Sequence, residues 1–411
     1  MCRRIVATAI GPFSDFLMIT ILHVITSLTR AGAESQLLNI VRNTMSDELS
    51  HIVCYLHPPD DLAADFRSSG IETICLNLPR KRPWLSAPWK LIPILRARRP
   101  DFIQTRLLDA DLSARFSTLL GPSIPIVNTL HMPTYDAETI RVGGWPVYKM
   151  AVLKRLDRWT ARATRPLFIA ISESVKRSAV RNLGLSPAAV RVIYNSIDQK
   201  RLQCDPEEPR RIRREAGIPA GAFVYLTVGR LSPEKGQTVL LRAFKEVAAA
   251  FPDAYLVFVG EGPQAGAHET LATELGIRDR VRFLGNRGDV GACLEMAGAF
   301  VFPSLFEGWG AAPIEAMFKG LPCIVTRIEP ILELFVDGET GLVVTPDSEA
   351  ELTSAMMMLS RDPDLRRRLG AAARASAVKR FDSRQGIRVW SQFYRELAEM
   401  HQHSATSEKS P

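Results

Sequence analysis

Two carboxylates, Glu307 and Glu315, lie eight positions apart in the stretch Ser304-Leu305-Phe306-Glu307-Gly308-Trp309-Gly310-Ala311-Ala312-Pro313-Ile314-Glu315-Ala316. The apolar run Ala299-Phe300-Val301-Phe302 ahead of them reads as a buried strand. Gly308 and Gly310 let the backbone approach a ligand closely, with Trp309 between them. Pro313 suits a first helical position, which predicts a helix opening there. Both carboxylates then face the carboxyl end of a strand, the edge at which open α/β sheets bind ligands. Carboxylates there accept hydrogen bonds from the hydroxyls of a sugar or ribose. Loop amides and a helix N-terminus favour an anionic group such as a phosphate.

Other segments place polar groups at strand ends. In Leu226-Thr-Val-Gly-Arg-Leu-Ser-Pro-Glu-Lys-Gly-Gln237, Arg230 and Lys235 lie in a loop between strand and helix. Two cations in that loop can neutralise a diphosphate without a metal. Gly260 opens the turn Gly260-Glu261-Gly262-Pro263 after a strand, a sequence that also suits a tight turn with no ligand. Gly32 sits in Arg30-Ala31-Gly32-Ala33-Glu34, between a strand and a helix, where Glu34 also fits as a first-turn partner of the helix dipole. His131 ends the strand-like Asn128-Thr129-Leu130-His131, and Ser172 reads first as a helix N-cap.

Together these segments resemble the retaining glycosyltransferases of family 4, which have the GT-B fold. The family pattern E-G-x-G-x-x-x-x-E matches from Glu307 to Glu315, and G-R-x-x-x-x-K-G matches from Gly229 to Gly236. The turn G-x-G-P matches at 260–263, and one glycine of G-G-A-E is kept as Gly32, with Ala31 in place of the other. The resemblance implies a donor site for a UDP- or GDP-linked sugar, which is a substrate, with no cofactor and no metal. It implies that Glu307 meets the sugar hydroxyls, Glu315 the ribose, and Arg230 and Lys235 the diphosphate. Gly260 would lie near the base, Gly32 near the phosphates and His131 near the sugar-bearing carbon. Ser172 and Asn195 are expected to be mainly structural or hinge elements. One departure stands out: Glu329-Pro330 occupies the place of a glycine pair near the diphosphate, while Glu333 is kept. Proline offers no amide donor, and Glu329 brings a negative charge toward an anionic site.

The elements that must position these residues alternate along the chain. Strands are predicted at 19–26, 51–56, 72–76, 101–105, 125–129, 166–171 and 190–194, then at 223–229, 255–259, 281–284, 299–303, 322–326 and 341–344. The clearest helices between the early strands are 33–46, 109–118 and 146–163, and amphipathic helices close the chain at 362–379 and 384–400. The expected fold is α/β, with two Rossmann-like βα domains facing across a deep cleft and a C-terminal helix returning to the first. The expected division is an extension outside the fold at 1–17, an acceptor-binding domain at 18–200, a donor-binding domain at 201–380, a crossover helix at 381–400 and a disordered tail at 401–411. The polar, proline-containing stretch 203–211 reads as the linker between the domains.

The composition, 46% hydrophobic and 23% charged, is that of a globular protein. Six scattered cysteines without a C-x-x-C pair argue against a zinc site or disulfide scaffold and fit a reducing cytosol. The net charge is +8, and residues 1–200 carry +10 of it against −2 for the remainder. Basic stretches with interleaved aromatics, Arg80 to Arg99 and Trp145 to Arg165, suit a peripheral contact with anionic membrane at the inner face. No apolar run reaches the roughly 18 residues of a membrane span. The expected partners are a nucleotide-sugar donor and a glycan or lipid-linked acceptor, in polysaccharide or glycolipid synthesis in the cytoplasm. No nucleic-acid motif is recognisable. A nucleotide-sugar epimerase or phosphorylase on the same fold, or a degenerate non-catalytic member, stays open as an alternative.

Overall fold

The computed structural model describes residues 18–30, 32–46 and 48–407. The expected extension at 1–17 therefore lies outside the described residues, as do 408–411. The first sheet contains β1 Ile19–Ile25, β2 Leu49–Tyr55, β3 Glu72–Cys75, β4 Phe102–Arg106, β5 Ile126–Leu130, β6 Leu167–Ala170 and β7 Val190–Val192. Its strands run parallel in the order β3-β2-β1-β4-β5-β6-β7. The second sheet contains β8 Phe223–Val228, β9 Ala254–Val259, β10 Val281–Phe283, β11 Ala299–Phe302, β12 Cys323–Thr326 and β13 Leu342–Val344. It too is parallel, in the order β10-β9-β8-β11-β12-β13.

The strand order explains where the site must lie. In the first sheet the chain reverses direction of growth between β1 and β4; in the second it does so between β8 and β11. The loops leaving those strands diverge and leave a crevice at each switch point. Parallel strands covered by helices on both faces are apolar throughout, and the fully buried β11 and β12 show that pattern. The covering helices follow the 3.6 period: in Gly32–Thr44, the buried residues Leu37, Ile40, Val41 and Thr44 lie on one face.

The last helix, Ser383–Ser407, returns to the first sheet. Trp390, Phe393, Tyr394 and Leu397, at helical spacing, are buried against Ile19, Ile21, Phe102, Ile169 and Ile193. The Tyr394 hydroxyl donates to Gln104 Oε1 of β4 at 2.8 Å. The preceding helix, Pro363–Phe381, stays with the second sheet. The chain passes from one to the other at Asp382, whose carboxylate accepts from Gln199 Nε2 at 2.6 Å.

Three local expectations change. The stretch at 203–211 is only partly a linker, because Glu207–Glu215 forms a helix with Pro209 and Ile212 buried. Glu207 and Glu208 in the first turn and Arg213 and Arg214 in the last complement the helix dipole there. The final helix runs on to Ser407 rather than giving way to a disordered tail at 401. The helix after β11 opens at Ala311, two residues before Pro313, because Gly310 adopts a left-handed conformation (φ 87°) as its cap.

Candidate active site

Glu307, Lys235 and Arg230 gather at the β8/β11 switch point. β11 ends at Phe302, and the loop that follows carries Glu307. The Glu307 carboxylate pairs with Lys235 Nζ and accepts from Ser304 Oγ at 3.0 Å. Lys235 Nζ also stands 5.7 Å from the centre of the Phe302 ring. This partly buried ion pair uses one of three lysine donors, so the ammonium retains capacity for a second anion. The loop before it is held firmly: Gln237 Nε2 donates to the Arg230 carbonyl at 2.8 Å, and the Leu305 amide donates to the Glu234 carbonyl at 2.8 Å. The Arg230 side chain is exposed and makes no hydrogen bond or ion pair among the described residues.

Glu315 lies in the second turn of the Ala311–Phe318 helix. Burial pushes its carboxyl up to about 7, partly opposed by the positive charge of Arg201. No side chain among the described residues hydrogen-bonds that carboxyl, so it is available to a ligand hydroxyl. Gly260 (φ 135°) packs its Cα face onto the Gly229 carbonyl, leaving no room for a Cβ. The G-E-G-P turn thus lies directly against the strand-end that leads to Arg230. Gly32 begins its helix at the carboxyl edge of β1, exposed and with open space above it.

Gly308 brings the two domains together. A Cβ there would overlap the carbonyl oxygen of His131, in the first domain. Ser172 Oγ donates to the Gly308 carbonyl at 3.1 Å and accepts from the Val175 amide at 3.1 Å. It is therefore the helix N-cap expected from the sequence and an interdomain contact as well. His131 is held neutral: burial, reinforced by the positive charge of Arg106, lowers its pKa to about 3. Its Nε2 is enclosed and has no hydrogen-bond partner among the described residues. A buried ring nitrogen without a partner is uncommon and suits contact with a ligand. Trp309 is buried, its ring edge-on to Phe381 at 6.1 Å, so it packs against the second domain's last helix.

Glu329 is paired across the gap between the domains: Arg177 of the first domain donates to it through Nε at 3.1 Å and Nη2 at 2.5 Å, which offsets the negative charge expected from the sequence. Glu333 crosses the same gap: it accepts from the amides of Glu173 and Ser174 at 2.9 and 2.6 Å and from the Tyr194 hydroxyl at 3.0 Å. A carboxylate on the N-terminal amides of a helix is stabilised by their unsatisfied donors and by the dipole. Arg177 and Tyr194 gave no signal in the sequence, since their partners lie 152 and 139 positions away. Asp109, at the start of the helix after β4, also went unremarked; a carboxylate at a switch-point strand end was the available cue.

With this geometry in place, relatives can be compared. Residues 30–201 match the model of Glycosyltransferase Family 4, and residues 209–376 match Glycosyl transferases group 1. The chain belongs to this family of glycosyltransferases, and its architecture is GT-B. It is 27% identical over 283 residues to the UDP-Gal:alpha-D-GlcNAc-diphosphoundecaprenol alpha-1,3-galactosyltransferase of Escherichia coli, covering 68% of this chain and 71% of that one. It is 35% identical over 176 residues to the lipopolysaccharide core biosynthesis glycosyltransferase LpsD of Rhizobium meliloti, covering 43% of this chain and half of that one. The crystal structure of Anabaena Alr3699/HepE in complex with UDP and glucose superposes with a TM-score of 0.80 at 22% identity, covering 92% of this chain and 100% of that one.

Two outcomes test the geometry. Gly308→Ala places a methyl group against the His131 carbonyl, so the variant is expected to hold the domains apart; small-angle scattering should give a larger radius of gyration than wild type. Glu315→Gln tests the desolvated carboxyl. A folded-state pKa raised from the ordinary 4.5 to about 7 means stability present at low pH and lost as pH rises through 7. The melting temperatures of variant and wild type should therefore agree near pH 4, diverge in favour of glutamine between about 4.5 and 7, and stay apart above.

Proposed function

We propose that the protein is a retaining glycosyltransferase that passes a sugar from a nucleotide diphosphate to a hydroxyl of a glycan, lipid-linked or small-molecule acceptor. The observation that carries this reading is the Lys235–Glu307 pair at the β8/β11 switch point. One cation and one carboxylate are held side by side where a diphosphate and a sugar must adjoin. Arg230 and Lys235 take the diphosphate and stabilise the charge that develops as the anomeric carbon–oxygen bond breaks. The reaction needs no metal in this reading, and the nucleotide sugar is a substrate rather than a cofactor. Glu307 accepts from the sugar hydroxyls, Glu315 from the ribose, and the Gly260 turn lies at the base. Gly32, Gly308, Trp309 and Gly310 shape the walls. His131, neutral and with Nε2 unpartnered, contacts the sugar near the reacting carbon. The acceptor oxygen attacks on the face the leaving group departs from, so configuration is kept.

UDP is favoured as the nucleotide, since the HepE structure holds UDP and the Escherichia coli relative uses UDP-Gal. Titration calorimetry of UDP and GDP with EDTA present should show saturable binding of UDP, lost in Lys235→Ala. Glu307→Ala should keep nucleotide binding while transfer falls by at least about 100-fold. Binding of neither nucleotide would favour a degenerate member, and release of a free epimer without acceptor would favour an epimerase.

The acceptor half of the reading includes peripheral contact with the inner membrane face in the cytoplasm. Trp84 stacks on Phe116 with ring centres 5.7 Å apart, and Trp159 lies tilted against Phe116 at 6.2 Å. Around them Leu85, Trp89, Tyr148 and Val152 are exposed. The Val147–Thr164 helix carries Lys149, Lys154, Arg155, Arg158 and Arg162, and its one acidic residue, Asp157, is buried. An acid-free basic face with aromatic side chains suits anionic headgroups. No helix among the described residues is long and apolar enough to cross a membrane. Flotation should show binding to phosphatidylcholine vesicles only when phosphatidylglycerol is included, weakened by salt and by Tyr148→Glu with Trp159→Glu.

A further inference from the structure

A cavity of about 400 Å³ opens at the other switch point, where the loops after β1 and β4 diverge. His131 lines it, so it adjoins the junction with Gly308. Its surface is mainly apolar, with Leu107, Leu130, Met150 and Leu153 among the lining side chains, and Lys149 and Asp157 also line it. Asp109 enters the same cavity from the first turn of the Leu108–Leu120 helix.

Asp109 is not an ordinary helix-start carboxylate. Such a residue normally sits in water and benefits from the dipole. Here burial raises its pKa above the usual value, against the opposing charge of His57. No hydrogen bond to its carboxylate is formed among the described residues. The residue before its helix, Leu107, has φ 74° and ψ 148°, a conformation a branched L-residue adopts only at a cost. That turn directs the chain so that both Leu107 and Asp109 face the cavity.

We infer that Asp109 binds the acceptor hydroxyl and that the apolar wall selects an amphipathic acceptor, one whose apolar group adjoins that hydroxyl. The inference rests on the glycosyl-transfer reading for the hydroxyl's fate, and goes beyond it in naming the residue and the acceptor's chemical class. A free sugar would leave Leu107, Leu130, Met150 and Leu153 against water. An anionic group at Asp109 would meet a like charge. A neutral hydroxyl attached to an apolar body satisfies both parts of the cavity.

Two glycosides that differ only in their apolar part test this: n-octyl β-D-glucopyranoside, below its micelle concentration, and methyl β-D-glucopyranoside. Binding is measured by calorimetry with and without UDP. Burial of even two methylenes predicts a preference of about tenfold or more for the octyl glycoside. Leu153→Ser should erase that preference. Asp109→Asn should weaken the octyl glycoside about tenfold while UDP affinity, a check of the fold, is unchanged. Equal affinity for the two glycosides, no binding of either, or full octyl affinity in Asp109→Asn would overturn the inference. Loss of UDP binding in wild type would instead sink the donor reading, and the glycoside comparison made without UDP would still decide the nature of the cavity.

Discussion

The approach of the Gly308 backbone to the His131 carbonyl is the contact on which the rest of the site depends. It joins a loop of the second domain to a strand-end of the first with no side chain between them. Ser172 secures the same loop from the first domain. Glu333 then holds the helix beside it by accepting two of its N-terminal amides. Two sheets that share no strand are thereby brought into register at their carboxyl edges. His131 lines the crevice of the first sheet and touches the Gly308 loop of the second, so the two switch points adjoin there.

Within that region the charges are sorted by environment. Glu307 pairs with Lys235, a partly buried pair whose worth comes from holding both groups in place more than from net stability. Among the described residues Glu315 and Asp109 have no cationic partner at hydrogen-bonding distance, and burial raises the pKa of each. His131 is pushed the other way and stays neutral. Groups whose pKa values are displaced by desolvation at a switch-point crevice fit a site built to recognise hydroxyls, since each lacks a partner that a hydroxyl can supply. Lys235 and Arg230 bring positive charge to the β8/β11 switch point.

The crossover helix couples this arrangement to the far end of the chain. Trp390, Phe393, Tyr394 and Leu397 are buried on the first sheet, while the helix before it packs on the second. The chain therefore crosses between domains twice, once near Ile197 and once at Asp382, and the two crossings touch through backbone hydrogen bonds. A double crossing limits relative motion to a hinge, compatible with opening and closing over a ligand.

The amino-acid sequence by itself determined the alternation of elements and the motif-bearing loops. The thirteen strands appear within a residue or two of their expected positions, because apolar runs bounded by turn residues are a short-range signal. The Glu307–Glu315 loop, the Arg230–Lys235 loop and the glycine turn at 260 were legible for the same reason, and through the family they resemble. The start of the helix at Ala311 was missed because the left-handed cap at Gly310 outweighed the proline preference. The helix at Glu207–Glu215 was hidden by its prolines and charges. Only the tertiary structure decided what Glu329 does, that Ser172 serves both as cap and as interdomain contact, and that Asp109 enters a mainly apolar cavity beside His131. Those contacts join residues more than a hundred positions apart, or depend on two loops of different strands meeting. Such proximity leaves no periodicity along a single chain; it exists only once the sheets have twisted, packed and closed on each other.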